Sequence, residues 1–109
     1  MGDVVLVTGA SRFVGSALCR RLQIDGCQVR AVMRRLAQGP WDEAATLNRR
    51  TQSIPKGLLA GVDCVFHLAG KAHALAEGPG AEEEYRLSNL QSTLDLIAAA
   101  RAAGVRAFV

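Results

Sequence analysis

Val4-Val5-Leu6-Val7-Thr8-Gly9-Ala10-Ser11-Arg12-Phe13-Val14-Gly15 is the stretch on which the reading of this chain turns. Val4 to Thr8 is a continuous apolar run rich in β-branched residues, the pattern of a strand buried on both faces, as in a parallel sheet. Gly9 to Gly15 then reads as a turn. Val14, Ala17, Leu18 and Leu22 recur at helical spacing and predict a core-facing stripe. Asp25-Gly26 closes that helix, with Gly26 suited to a left-handed cap. A strand, a glycine turn and a helix in this order have a specific physical capacity. Gly9 permits backbone angles that a side chain would forbid. The first helical residues aim unpaired N–H groups and the positive end of the helix dipole at an anion. Gly15 lets the helix pack closely on the strand.

Outward from this unit, Gln28 to Met33 predicts a second strand, with Val29, Ala31 and Met33 alternating against Arg30. Gly39-Pro40 breaks the chain, and Trp41 to Ser53 carries too weak a pattern to decide on a third strand. Pro55 to Ala60 predicts a short helix. Gly61 starts a turn, and Val62 to Leu68 reads as another buried strand. His73 to Gly80 reads as loop. Ala81 to Ala103 is the longest helical pattern, with Leu87, Leu90, Leu94, Ile97 and Ala98 expected on its buried stripe. Glu82 to Glu84 favour the positive end of its dipole. Gly104 caps it, and Val105 to Val109 begins one more strand. Strands alternating with helices at this spacing imply βαβ units. The expected fold class is α/β, a Rossmann-type doubly wound parallel sheet over residues 1–109, incomplete because the sequence reaches only the start of its fifth strand.

The chain has 109 residues, half of them hydrophobic and 21% charged, which fits one globular domain. Its net charge of +3 is mild, and the basic residues fall in pairs (Arg20-Arg21, Arg34-Arg35, Arg49-Arg50) with 5% aromatics. A nucleic-acid footprint would need a continuous basic stripe with aromatics, so no nucleic-acid partner is expected. Cys19, Cys27 and Cys64 form no CxxC, which suggests neither a disulfide framework nor a zinc site. Without a basic-then-apolar leader or a long apolar run, the expectation is a cytoplasmic protein with no membrane partner. His67 and His73 lack a third ligand at metal spacing, and His67 reads as a buried or half-buried strand residue. No GxxxxGKS/T loop and no Gly-x-Ser-x-Gly elbow occurs.

The run VLVTGASRFVGSALCRRL resembles the N-terminus of the extended short-chain dehydrogenase/reductases, the NAD-dependent epimerase/dehydratase family. Thr8, Gly9 and Gly15 match that family's TGxxGxxG, while Arg12 stands at the middle glycine. A sister branch of the superfamily has TGxxxGxG, which Phe13 breaks. Val62 to Gly70 resembles the family's fourth strand with its HLAG ending. Tyr85 to Thr93 resembles its YxxxNxxGT helix, with Ser92 for the glycine. Gly104 to Val109 resembles the entry to its fifth strand.

The resemblance implies a nucleotide-sugar epimerase, dehydratase or reductase acting through hydride transfer to NAD or NADP, with a nucleotide sugar as substrate of the intact enzyme. It places cofactor contacts at Gly9, Ser11, Arg12, Phe13, Val14, Gly15, Leu68, Ala69, Gly70 and Asn89, and an adenine contact at Asn48. Family members use a YxxxK pair beyond the fifth strand. Tyr85, the one tyrosine, is followed four residues on by Asn89, so no catalytic residue is assigned here and the chain alone is expected to be inactive. An NAD enzyme usually ends its second strand near an Asp or Glu that binds the ribose 2′-OH. This chain has Arg34 and Arg35 there, which favours NADP. Arg12, if held as the glycine would be, is expected to strain the turn. Two alternatives stay open: a non-catalytic NAD(P)-binding or sensing protein, and a degenerate remnant that binds nothing well. An open apolar sheet edge at Val105, Phe108 and Val109 also predicts self-association.

Overall fold

A computed structural model describes residues 2–47, 54–55, 57–69 and 81–109, with the backbone alone for 81–89. The described elements run β1 (Val4–Thr8), α1 (Phe13–Ile24), β2 (Gln28–Met33), β3 (Glu43–Thr46), β4 (Cys64–His67), α2 (Ala81–Ala103) and β5 (Ala107–Phe108). The strands form one sheet in the order β3-β2-β1-β4-β5, and every neighbouring pair is parallel. β1 lies at the centre, which is why its five residues carry no solvent-facing polar alternation.

The strand period of two splits the core into two layers. Val5 and Val7 of β1 join Val29, Ala31 and Met33 of β2 in a cluster with Ala10 and Cys19, on the α1 side. Leu6, Val32 and Val65 point the other way and pack with Leu47, Leu58, Leu59, Val62, Leu96 and Ala100, under α2. Arg30 shares that second side without leaving a charge stranded. Its guanidinium donates to the carbonyls of Leu58 (2.7 Å) and Ala60 (3.0 Å) and pairs with Glu43 at 3.5 Å. One side chain thereby braces the 57–61 segment against β2 and β3.

α2 turns a different face inward from the one the apolar spacing predicts, whereas α1 keeps the Leu18 and Leu22 part of its expected stripe and exposes Val14 and Ala17. In α1 the buried residues are Gly15 and Cys19, with Leu18 and Leu22 partly buried, while Val14 is 64% exposed. In α2 the buried residues are Ser92, Leu96 and Ala100, and Leu90, Leu94, Ile97 and Ala98 face outward. On α1 the small Gly15 and Cys19 take the inward positions, and on α2 Leu96 enters the core between the smaller Ser92 and Ala100. Leu87 belongs to the part of α2 whose side chains lie outside the described residues. Burial pushes the Cys19 thiol up to about 11, so it stays protonated and behaves as a small apolar side chain.

Other expectations hold or shift at their ends. Gly26 closes α1 at φ +90°, with Cys27 N–H on the Leu22 carbonyl, and Gly104 closes α2 at φ +81°. The expected helix at Pro55–Ala60 is instead a run of turns in its described part. N–H groups of Leu58, Ala60 and Val62 bond to the carbonyls three residues back, at Pro55, Gly57 and Leu59. β3 exists, yet at the sheet edge only Ala45 of its four residues is partly buried, so no apolar pattern marks it. Asp42 sets it beside β2 by accepting the Val29 N–H (2.7 Å) and donating its own N–H to Val29 O (2.9 Å). No described helix is long and apolar enough to cross a membrane. The expected loop at His73–Gly80 lies outside the described residues.

The two faces of α2 give a direct check. Leu96→Ala should cost about 2–5 kcal/mol, as deletion of a fully buried leucine does. Leu94→Ala on the outer face should stay within about 0.5 kcal/mol. Urea denaturation of the two variants measures both, and equal losses would contradict the inward face described here.

Candidate functional site

Sequence order and sheet order together create a crevice. From β1 the chain passes to β2 and β3 on one side, then returns to β4 and β5 on the other. The connections leaving β1 and β4 diverge at their carboxyl ends, the position where open α/β sheets bind ligands. The residues that line this point come from the turn after β1, the segment after β2 and the segment after β4.

The turn is held over the strand ends by its backbone. Gly9 N–H donates to Val32 O at 3.1 Å, and Ala10 N–H reaches the same oxygen at 3.4 Å. Gly9 has φ +69°, which disfavours any side chain. A Cβ there would also lie 2.9 Å from Ala69 N and 3.0 Å from the Leu68 carbonyl carbon. The turn after β1 and the segment after β4 therefore touch backbone to backbone. Gly15 makes the second close approach. A Cβ on it would run into the Gly9 carbonyl oxygen and stand 2.9 Å from Ala10 Cα.

These approaches set the helix start. Arg12 N–H donates to Gly9 O (3.1 Å), and Ser16 N–H to Arg12 O (2.8 Å) opens the helical ladder. The N–H groups of Phe13, Val14 and Gly15 precede that first bond, and the first turn of α1 holds no acidic side chain to neutralise its positive end. Arg12 is the N-cap residue, at φ −82° and ψ 167°, and its exposed side chain makes no cap bond. That is ordinary extended backbone, so the expected strain at Arg12 is absent. The position asks for no glycine, and the guanidinium lies in solvent beside the helix start. Ser11, Phe13 and Val14 are likewise exposed, Phe13 at 89%.

Arg34 and Arg35 follow the last residue of β2 directly, and both are exposed. Since Thr8 pairs with Val32, they begin two residues past the point where the glycine turn leaves β1. Leu68 and Ala69 form the opposite wall. Asn89 lies on α2 one turn before Thr93. Gly70 and Asn48 lie outside the described residues.

One part of the arrangement was not singled out by the sequence pattern. Ala69 N–H donates to Thr8 Oγ1 (3.0 Å), Thr8 Oγ1 meets His67 Nδ1 (2.7 Å), and His67 Nε2 meets Thr93 Oγ1 (3.0 Å). His67 is half-buried, as its place in the strand suggested, and its ring also lies 6.0 Å from that of Phe108. The signal that could have found this set is the strand period. Thr8 and His67 share the α2-facing side with Leu6 and Val65.

Comparison with known proteins agrees with this geometry. The family model for NAD-dependent epimerases/dehydratases matches residues 5–109. The chain belongs to this family. A 2-alkyl-3-oxoalkanoate reductase of Stenotrophomonas maltophilia (strain K279a) is 37% identical over 108 residues, covering 93% of this chain and 30% of that protein. Among solved structures, MoeE5 in complex with UDP-glucuronic acid and NAD superposes with a TM-score of 0.75 at 33% identity, over 95% of this chain and 34% of its own. A short-chain dehydrogenase/reductase superfamily protein of Agrobacterium tumefaciens with bound NAD gives 0.77 at 29% identity, over 97% and 31%. The chain thus spans about a third of the length of the relatives it matches, and over that length it has their Rossmann-like parallel sheet.

Gly15 offers the sharpest test of the family turn in this chain. Alanine at a helix position normally gains about 1 kcal/mol over glycine. Here the added carbon meets backbone atoms that cannot swing aside, and overpacking of this kind costs about 1–3 kcal/mol. Gly15→Ala should therefore lower stability in thermal or urea melts. A stabilised variant would show that α1 is free to lift from the turn.

Proposed function

We propose that this chain is the dinucleotide-binding portion of an NAD(P)-dependent enzyme acting on a nucleotide sugar, as an epimerase, dehydratase or reductase. The observation that carries the reading is the cradle at the switch point. Free N–H groups of Phe13, Val14 and Gly15 and an uncompensated helix dipole stand above Gly9, with the Leu68–Ala69 backbone as the facing wall. This suits a pyrophosphate, which is anionic and tolerates close backbone. In this reading Gly9, Ser11, Arg12, Phe13, Val14 and Gly15 hold the pyrophosphate. Leu68, Ala69 and Gly70 line the path of the cofactor, Asn89 approaches it from α2, and no residue described here is assigned to the chemistry.

The cofactor preference in this proposal is NADP. Arg34 and Arg35 occupy the position after β2 where a carboxylate would bind a ribose 2′-OH and repel a 2′-phosphate. A guanidinium pairs with phosphate through two charge-assisted hydrogen bonds. Arg12, exposed and unstrained, adds a third cation from the turn. A second reading of the substrate draws on the S. maltophilia relative, a 2-alkyl-3-oxoalkanoate reductase. Under it the intact enzyme reduces a carbonyl compound that carries no nucleotide, while the dinucleotide site is unchanged.

Paired calorimetric titrations of NADP and NAD test the proposal. NADP should bind more tightly, on the order of tenfold at low salt and less as salt rises, because the arginines are exposed. Arg34→Ala with Arg35→Ala should abolish the difference, and Arg12→Gly should weaken NADP rather than tighten it. Equal affinities, or tighter NAD, would defeat the preference. Absence of binding by either would defeat the reading of the site.

The chain alone is expected to turn over no substrate, since Tyr85 is followed by Asn89 where a catalytic pair has lysine. Leu90, Leu94 and Ile97 on α2 and the open edge at β5 also favour self-association of the chain. Light scattering over a concentration series should show mass rising with concentration, and a constant monomer mass would refute it.

A further inference from the structure

We infer that Trp41 is a positioning residue for recognition of a cofactor 2′-phosphate, because it anchors the connection that carries Arg34 and Arg35; the inference rests on the reading of the crevice as an NADP site. Parallel strands are usually joined by a crossover of about a dozen residues or more, most often a helix that covers the sheet. Here β2 ends at Met33 and β3 begins at Glu43, so Arg34 to Asp42 make the crossing without a helix. Arg34 to Gly39 are all exposed. Among the described residues, Arg34 to Gln38 make no hydrogen bond or ion pair. The path of the arginine-bearing stretch is therefore set by what holds its two ends.

One end is β2, which delivers Arg34 directly after the buried Met33. The other end is built from Gly39, Trp41 and Asp42. Asp42 fixes where the connection lands, through its two bonds to Val29. Trp41 fixes how the chain arrives there. Its indole is partly buried and packs against the α1-side cluster, which includes Met33 below the arginines and Ala10 in the glycine turn. The same indole lies over Gly39, where an added Cβ would run into its six-membered ring, and the Trp41 N–H donates to Gly39 O at 2.8 Å. The chain thus folds back at Gly39–Trp41, and little length remains between that fold and β2. A guanidinium makes two parallel bonds to a phosphate only when its plane is presented correctly. With the indole seated, the stretch that leaves β2 is held at both ends. Without it, β2 still brings the cations to the crevice, but binding must also order the stretch that bears them. The coupling is reciprocal, so an anion that orders the arginines must also tighten the seat of the indole.

Calorimetric titration of Trp41→Ala with NADP and NAD tests the anchor. The advantage of NADP over NAD should fall from on the order of tenfold to about twofold, with NAD affinity itself changed by less than about twofold. A general loss of structure would weaken both dinucleotides alike and leave their ratio unmoved. Trp41 is also the sole tryptophan, so its emission reports the seat directly. In the parent chain, saturating 2′,5′-ADP should move that emission to shorter wavelength, while saturating 5′-AMP should leave it near its free position. A parent chain that binds neither dinucleotide, or binds NAD at least as tightly as NADP, overturns the NADP reading and this inference together. A parent that prefers NADP while Trp41→Ala keeps the full preference overturns the inference alone. If Trp41→Ala does not fold, the parent emission decides, because a shift that is absent or equalled by 5′-AMP contradicts the anchor and a shift with 2′,5′-ADP alone upholds it.

Discussion

Backbone-on-backbone contact at Gly9 is the constraint from which the rest of this structure follows. The turn after β1 and the segment after β4 approach to a distance that leaves no room for a Cβ, and the same turn must accept the start of α1 against Gly15. The glycine turn, the helix start that follows it and a segment about sixty residues away therefore meet without an intervening side chain. The backbone itself forms the floor of the crevice, beside the N–H groups of Phe13, Val14 and Gly15 that precede the first bond of the helical ladder. A cradle of this kind cannot be built from side chains with the same economy, because each would bring rotamer freedom that binding must then remove.

The sheet beneath is what makes such precision possible. All five strands are parallel, so every carboxyl end in the sheet points the same way, and the two sides of β1 feed connections in opposite directions. Each face of the sheet is sealed by its own helix. The α1 side closes over small residues, with Cys19 and Ala10 in the core. The α2 side closes over Leu96, Ala100 and the braced 57–61 segment, where Arg30 donates to the carbonyls of Leu58 and Ala60. At the opposite end of the sheet, the Asp63 carboxylate takes the Val4 N–H at 2.8 Å and Arg106 reaches Asp3 and Asp63. The exposed ion pairs there add little energy. The backbone bond from Val4 N–H instead holds β1 in register with β4.

Among the described residues, the turn after β1, the start of α1 and the Arg34–Arg35 segment carry no carboxylate. The helix start carries no acid, and the arginines near it sit in solvent, where they keep their hydration until an anion arrives. Such cations contribute long-range attraction at low ionic strength and direct pairing on contact. The part-buried polar set under the crevice is of another kind, in which Thr8 holds the Ala69 N–H and His67 links Thr8 to Thr93.

How much of this was legible beforehand varies by element, for identifiable reasons. β1, the glycine turn, both long helices, the caps at Gly26 and Gly104 and the parallel α/β class can be read from the residues alone, because those features follow from local sterics and from periods of two and 3.6. So can the basic character of the position after β2. Packing against the sheet, rather than local pattern, set which face of α2 is buried. Leucine spacing pointed to the Leu90–Leu94–Ile97 face of α2, but the buried positions are Ser92, Leu96 and Ala100. β3 was invisible because an exposed edge strand needs no apolar alternation. Arg12 was misread as strained because a missing motif glycine says nothing of φ, which the N-cap geometry sets. The Thr8–His67–Thr93 chain was beyond reach for a plainer reason. Its residues are up to 85 positions apart, and a hydrogen bond between distant side chains leaves no periodic trace in the sequence until parallel strand pairing and helix packing bring them to one face.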